Sequence, residues 1–170
     1  MTEKQRENLK KAAEGEIYAT LRQYALRLVH NYALAEEFTQ EAFLRLCEEI
    51  DSKPGTVQNE RAWLYKTTRN MIFDFLRRQK KRKDIFIYLS VSSSDSIAEH
   101  VEAEAEKKEA EEMLMQKLDQ LSERHREAVR LKFQEKLTYD EIAIVMSESR
   151  STVSRLLSEA IQKLRKMMNA

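Results

Sequence analysis

The chain has 170 residues, 35% charged and 42% hydrophobic, with 30 Lys and Arg against 29 Asp and Glu for a formal charge of +1. Near-neutrality argues against a stand-alone nucleic-acid binder, which needs a clear positive excess to neutralise phosphates, and the composition supports modest cores rather than one large one. With 2 Gly and 1 Pro there is little turn chemistry to punctuate strands, so an all-α fold is expected, in one domain or two small ones.

The single cysteine, Cys47, excludes an internal disulfide and suits a reducing cytoplasm. The charged start MTEKQRENLKK lacks the apolar core of a signal peptide, and the apolar run Ile85 to Leu89 is far too short to span a bilayer. A soluble cytoplasmic protein without membrane insertion is expected.

From Lys4 to Lys83 the chain reads as helices by periodicity. Ile17, Leu21, Tyr24 and Leu28 fall on one stripe, and Leu34, Phe38, Ala42, Leu46 and Ile50 on the next. The run Asp51 to Gly55 ends that second helix, because Pro54 cannot continue it and Gly55 tolerates turn geometry. Asn59 is placed to cap a third long helix whose apolar face would be Leu64, Thr67, Met71 and Phe75, with Trp63 and Ile72 alongside. That helix runs into the basic block Arg77, Arg78, Lys80, Lys81, Arg82 and Lys83, where like-charge crowding favours a phosphate partner over a merely solvated helix end. Three or four such helices can close one small bundle.

Asp84 to Leu89 is β-prone and fits either an added turn of helix or an extended strap. Ser90 to Ser96 is a linker by composition, followed by an acidic stretch between Asp95 and Glu112 that either extends into the Met113–Leu121 helix or stays partly disordered. In the last third, Thr138 to Glu141 is a capping box that opens a helix with Ile142, Val145 and Met146 on its apolar side. Ser149 has the chemistry of the next N-cap, and that helix repeats Val153, Leu157, Ala160 and Leu164 on one face. Two helices around the Ser147-Glu148 turn make either a helix-turn-helix or a hairpin that only packs. A helix-turn-helix would lead into the major groove with Arg150, Ser151, Thr152, Ser154 and Arg155.

Catalytic readings find little support. None of His30, His100 and His125 has Glu three positions before it, as carboxylate-bridged metal bundles require, and there is no nucleophile motif or phosphate-binding glycine loop. Cys47 lies beside an apolar stripe and reads as a half-buried thiol. Neither an enzyme nor a cofactor or metal site is expected.

Three separated blocks, in order, resemble an extracytoplasmic-function (ECF) sigma factor of the sigma-70 family. Ala35 to Leu46 resembles the core-binding helix of region 2, Arg61 to Arg78 its promoter-opening helix, and the helix-turn-helix resembles region 4. The resemblance implies an all-α chain of two small helical domains. The region 2-like domain is expected over residues 1–89, a flexible acidic linker over 90–112, and the region 4-like domain over 113–170. It implies core RNA polymerase and promoter DNA as partners, an anti-sigma factor as a further one, and nucleotide transfer left to the polymerase. A near-neutral chain is then no objection, because the polymerase supplies most of the electrostatic grip.

By the same resemblance Glu36, Glu37, Gln40, Glu41 and Phe43 match the surface for the β′ clamp helices; a solvated charged face over a core Phe43 is the structural alternative. Asn70 stands where the family contacts a flipped minus-ten base, with Arg77, Arg78 and Lys81 near the backbone. Trp63 and Tyr65 add aromatics suited to unstacked bases, Trp63 being equally readable as a core residue. Region 4 would read the minus-thirty-five element through Arg150, Ser151, Thr152, Ser154, Arg155, Ser158 and Glu159, its other face meeting the β flap. The acidic connector would follow the polymerase's RNA path.

The chain also departs from the family. Ser147 and Glu148 replace the usual Gly and apolar residue of the turn, which predicts a looser turn with Glu148 in solvent, and Lys53 stands in a loop lacking the usual aromatic. Ser154, Leu156, Ser158 and Glu159 occupy positions that are usually basic. Glu159 therefore either accepts from cytosine N4 or repels phosphate. Two other readings remain open here. One is an autonomous helix-turn-helix regulator with Met1 to Lys83 as a sensing bundle, and the other an adaptor or anti-initiation protein that kept the fold.

Overall fold

The computed structural model describes residues 15–87 and 117–168. The expected linker and the whole acidic stretch lie outside the described residues, as does Leu89. The helices follow their local signals closely. Helix α1 (Glu16–Val29) begins at an extended Gly15 and ends where His30 turns left-handed (φ 51°), its N–H donating to the Leu26 carbonyl. The next residue starts α2 (Tyr32–Ser52), with the Asn31 side chain accepting from the Leu34 N–H at 3.0 Å. A two-residue corner, His30-Asn31, joins the two helices, which pack on each other. Past Ser52 the chain turns at Gly55, whose φ of 87° suits a residue without Cβ.

Helix α3 (Glu60–Ile87) then starts with Asn59 Oδ1 accepting from the Ala62 N–H at 2.8 Å. Asp84 to Ile87 continue this helix, so over those residues the added-turn reading of the β-prone run holds and the strap does not.

The buried faces keep Ala42, Leu46 and Ile50 of the expected α2 stripe and Leu64 and Ile72 of the α3 face, and shift by about one position elsewhere. On α2 the enclosed residues are Ala35, Thr39, Ala42, Phe43, Leu46 and Ile50, while Leu34 and Phe38 are half-buried. On α3 they are Ala62, Leu64, Tyr65, Thr68 and Ile72, while Thr67, Met71 and Phe75 sit at the edge. The shift on α3 has a tertiary cause: this helix is covered on one flank by α1 and α2 and on another by the C-terminal half.

That half begins with a helical turn at 117–119, whose end carbonyls are taken up by the Arg126 guanidinium, which bonds Leu118, Asp119 and Leu121. Helix α4 (Glu123–Val129) runs directly into a π-helical turn, Arg130–Gln134, closed by the Glu135 N–H on the Arg130 carbonyl at 3.2 Å. Helix α5 (Tyr139–Met146) opens with the expected capping box, Thr138 accepting from the Glu141 N–H and Glu141 from the Thr138 N–H. Burial alone would raise the Glu141 carboxyl. The Thr138 bonds and the Arg61 guanidinium outweigh it and hold the group below its ordinary value.

The turn to α6 (Arg150–Met168) is tighter than the sequence predicts. Ser147 adopts the left-handed conformation (φ 55°), and the N–H groups of Ser147 and Glu148 bond the Ile144 and Ala143 carbonyls at 3.2 and 2.9 Å. These bonds close a Schellman motif without glycine. Glu148 is turned back onto Arg124 rather than out to solvent.

The two halves pack on each other, α3 against α5. Their buried residues form one cluster running from Leu21, Tyr24 and Tyr65 to Leu131, Leu137 and Ile142. Arginines of the first half meet glutamates of the second at its edge. Arg69 bonds both oxygens of Glu127, at 2.9 Å for Nη2 to Oε2, and Arg27 bonds Glu135. Arg61 donates to the Glu135 carbonyl at 2.7 Å and stands 3.9 Å from Glu141.

Candidate nucleic-acid and polymerase interfaces

Helix α6 presents its N-terminal turn outward because Val153, Leu156, Leu157 and Ala160 anchor the opposite side in the core. Ser149 caps it, its Oγ accepting from the Thr152 N–H at 3.1 Å and meeting the Ser151 and Thr152 hydroxyls at 2.9 and 2.8 Å. Arg150, Ser151, Ser154, Arg155 and Ser158 are exposed, and Thr152 is half-buried. Leu156, grouped by resemblance with positions that are usually basic, is a core residue.

Glu159 faces two partners. One oxygen meets His125 Nε2 at 2.9 Å and the other Arg155 Nη1 at 3.2 Å. The His125 bond first, then Arg155, hold its carboxyl below the ordinary carboxylate value. Arg150 is 3.4 Å from Asp140 on α5.

On α3, Asn70, Arg77, Arg78, Lys80 and Lys81 are exposed. Trp63, Asn70 and Arg77 are spaced seven residues apart, with Lys81 four further on, so they share one stripe about 27 Å long. Trp63 packs against the core while remaining half-buried. Arg77 is paired with Asp74 one turn back.

Tyr65 stands apart from this stripe and corrects the expectation for it. It is fully buried against Tyr24, ring centroids 5.1 Å apart, and its hydroxyl donates to Glu135 Oε2 at 3.1 Å. Burial pushes its phenol up to about 12. One position on a helix turns a side chain by about 100°, enough to carry Tyr65 off the outer face and under the C-terminal half.

The α2 residues divide similarly. Glu37 and Gln40 are exposed and Glu41 is paired with Arg45 at 2.7 Å. Glu36 accepts from the Tyr18 hydroxyl, Arg22 and Gln40; the Tyr18 bond foremost holds its carboxyl below the ordinary value. Phe43 is buried against Tyr18, with centroids 5.3 Å apart, so the structure selects the core alternative for it. A cleft of about 550 Å³ between α2 and α3 is lined by Glu37, Gln40, Glu41, Leu44, Met71 and Phe75. Leu44 is 61% exposed beside it; an apolar residue off the periodic stripe was the available signal, and sequence reasoning missed it.

The C-terminal half carries a second concavity, about 430 Å³ and almost wholly apolar, between Leu118, Val129, Phe133, Ile161, Leu164 and Met168. Phe133 is exposed there by the π-helical turn that carries it.

The family model for sigma-70 region 2 matches residues 16–82, and that for sigma-70 region 4 matches residues 118–166. The chain belongs to the sigma-70 family.

Within it, the relatives include ECF sigma factors. The ECF RNA polymerase sigma factor SigL of Mycobacterium tuberculosis is 30% identical over 158 residues, covering 92% of this chain and 87% of that protein. SigM of Bacillus subtilis is 28% identical over 146 residues, 86% of each chain. Among solved structures, the sigma factor RpoE of Bartonella quintana, crystallised with the anti-sigma factor NepR, shares the fold with a TM-score of 0.66 at 20% identity, covering 96% of this chain and 98% of that one. This sigma factor is thus a promoter-directing subunit for core RNA polymerase, and the autonomous-regulator and adaptor readings are not favoured. Sigma factors are not enzymes in general. Among the described residues no helix is long and apolar enough to cross a membrane.

Proposed function

We propose that this sigma factor divides promoter recognition between two outward faces. The α3 stripe takes the minus-ten element: Asn70 contacts an unstacked base, Trp63 offers the adjacent aromatic edge, and Arg77, Arg78 and Lys81 neutralise the backbone. The N-terminal turn of α6 takes the minus-thirty-five duplex through Arg150, Ser151, Thr152, Ser154, Arg155 and Ser158. Glu37, Gln40 and Glu41, with Leu44 beside them and Glu36 bracing the helix, dock on the polymerase clamp, and the apolar groove around Phe133 meets the β flap. The observation that carries the reading is the exposure of both polar faces on helices whose other sides are buried.

The two DNA elements lie about 25 base pairs apart, roughly 85 Å along the duplex. Halves packed together through α3 and α5 form a body only roughly 40 Å across, so on this reading promoter engagement parts them. The chemistry of nucleotide transfer belongs to the polymerase; this chain acts in the cytoplasm without cofactor or metal. The anti-sigma partner of the Bartonella relative supports an inhibitor of that kind here.

Run-off transcription from genomic fragments with purified core polymerase tests this. New discrete start sites are expected with the protein. Asn70→Ala should abolish opening, and Arg155→Ala should weaken upstream anchoring. Tight duplex binding without polymerase, and no new transcripts, would refute the proposal.

A further inference from the structure

Resting on the minus-thirty-five reading above, we infer that Glu159 is a positioning residue: with His125 it aims Arg155 at a base edge and does not itself read DNA. Both carboxylate oxygens are already committed. Oε2 takes a hydrogen bond from His125 Nε2 at 2.9 Å, and Oε1 one from Arg155 Nη1 at 3.2 Å. An ionised carboxylate only accepts, so His125 Nε2 carries the proton. In the neutral ring Nδ1 is then an acceptor, and it faces the Ser122 hydroxyl at 2.5 Å.

The imidazole is 12% exposed and sits on α4, in the body of the domain. Ser122 stands at the N-cap of α4 yet makes no side-chain cap bond; its hydroxyl is spent on His125 instead. A relay thus runs from Ser122 through His125 and Glu159 to Arg155, fixing an exposed side chain from a half-buried imidazole.

The consequence lies in the guanidinium. A surface Arg–Glu pair one turn apart contributes little by itself, since both side chains are otherwise free. Here Glu159 is held from behind, so the arginine is tethered to a fixed point. With Nη1 engaged, the Nε and Nη2 edge of Arg155 carries no hydrogen bond among the described residues. That edge keeps the two parallel donors that match guanine O6 and N7. Arg150 contrasts with it, since its partner Asp140 is 67% exposed and unanchored. Arg155 is therefore assigned the sharper base preference of the two.

The test uses the full chain with core polymerase on a promoter library randomised across the minus-thirty-five element, scored by transcript abundance. Wild type should prefer guanine at one position by about ten-fold, and Arg155→Ala should abolish that preference. Glu159→Ala should cut the same preference at least about threefold while transcription from non-preferred sequences holds or rises, because a carboxylate near phosphates has gone. Glu159→Gln, which keeps an accepting oxygen, should retain more of it than Glu159→Ala.

His125→Ala should act at the same position. If that variant fails to fold, the two Glu159 variants carry the test alone. A Glu159→Ala protein that gains on all sequences alike, with its pattern unchanged, would overturn the inference in favour of simple repulsion. So would loss of preference at a different base pair from Arg155→Ala, which is the signature of direct reading by Glu159. Wild-type transcripts with no upstream preference at all would overturn both this inference and the minus-thirty-five reading beneath it.

Discussion

Replacing Glu135 by alanine should loosen the contact between the two halves. Its side chain is 2% exposed, and its carboxylate accepts from Arg27 and from the Tyr65 hydroxyl, both in the first half. Arg27 is 36% exposed and rehydrates when released, so its lost ion pair costs at most about 1 kcal/mol. Tyr65 is fully buried, and its hydroxyl would lose the Glu135 bond while keeping the Thr20 side chain as a partner, at a cost of about 1 kcal/mol. The Arg61 bond goes to the Glu135 backbone carbonyl and survives the change.

A total near 2 kcal/mol follows, equivalent to roughly a 30-fold shift from docked toward parted halves. Urea denaturation would report the stability loss, and small-angle scattering a larger radius of gyration. Because the lost Tyr65 bond is about half of that cost, Glu135→Ala made in a Tyr65→Phe background should cost only about 1 kcal/mol. An unchanged radius, or an equal cost in both backgrounds, would refute the reasoning.

Thr138→Ala removes the α5 capping box and should lower stability by about 1 kcal/mol in urea denaturation, leaving α6 helical by circular dichroism. Glu141 titrates below its ordinary value in the fold. Its contribution is therefore complete above its unfolded value near about 4.3 and lost as pH falls through the folded value. Melting temperatures between pH 6 and 3, on the order of those limits, should consequently fall more steeply for wild type than for Glu141→Gln. Among the described residues the buried Tyr24 hydroxyl has no hydrogen-bond partner, and burial drives its phenol upward. Tyr24→Phe should be neutral or stabilising by up to about 1 kcal/mol, and a loss larger than that would show an unrecognised partner. Ser147→Gly should stabilise the helix-turn-helix by roughly 1 kcal/mol, since Ser147 holds a left-handed conformation that glycine adopts freely.

By itself the sequence determined what acts within a few residues. The Thr138–Glu141 box and the caps at Asn59 and Ser149 are set by side chains bonding backbone three positions away, and the stop at Pro54-Gly55 by the proline ring and the missing Cβ of Gly55. The outer faces of α3 and α6 were legible for the same reason, as polar residues at helical spacing, and the ordered blocks carried the family.

Tertiary structure alone decided which way each helix is turned in its second contact. Tyr65 has the look of a surface aromatic until Tyr24 and Glu135 enclose it, and Phe43 fits surface or core until Tyr18 covers it. Glu135, 70 residues from Tyr65 and 108 from Arg27, becomes a buried acceptor only when the halves meet. Glu159 reads as a stray carboxylate in a recognition helix until His125, 34 residues earlier, holds it. Local signals bond backbone that is near in sequence in any arrangement of the chain, whereas burial and long-range pairing depend on which surface arrives opposite.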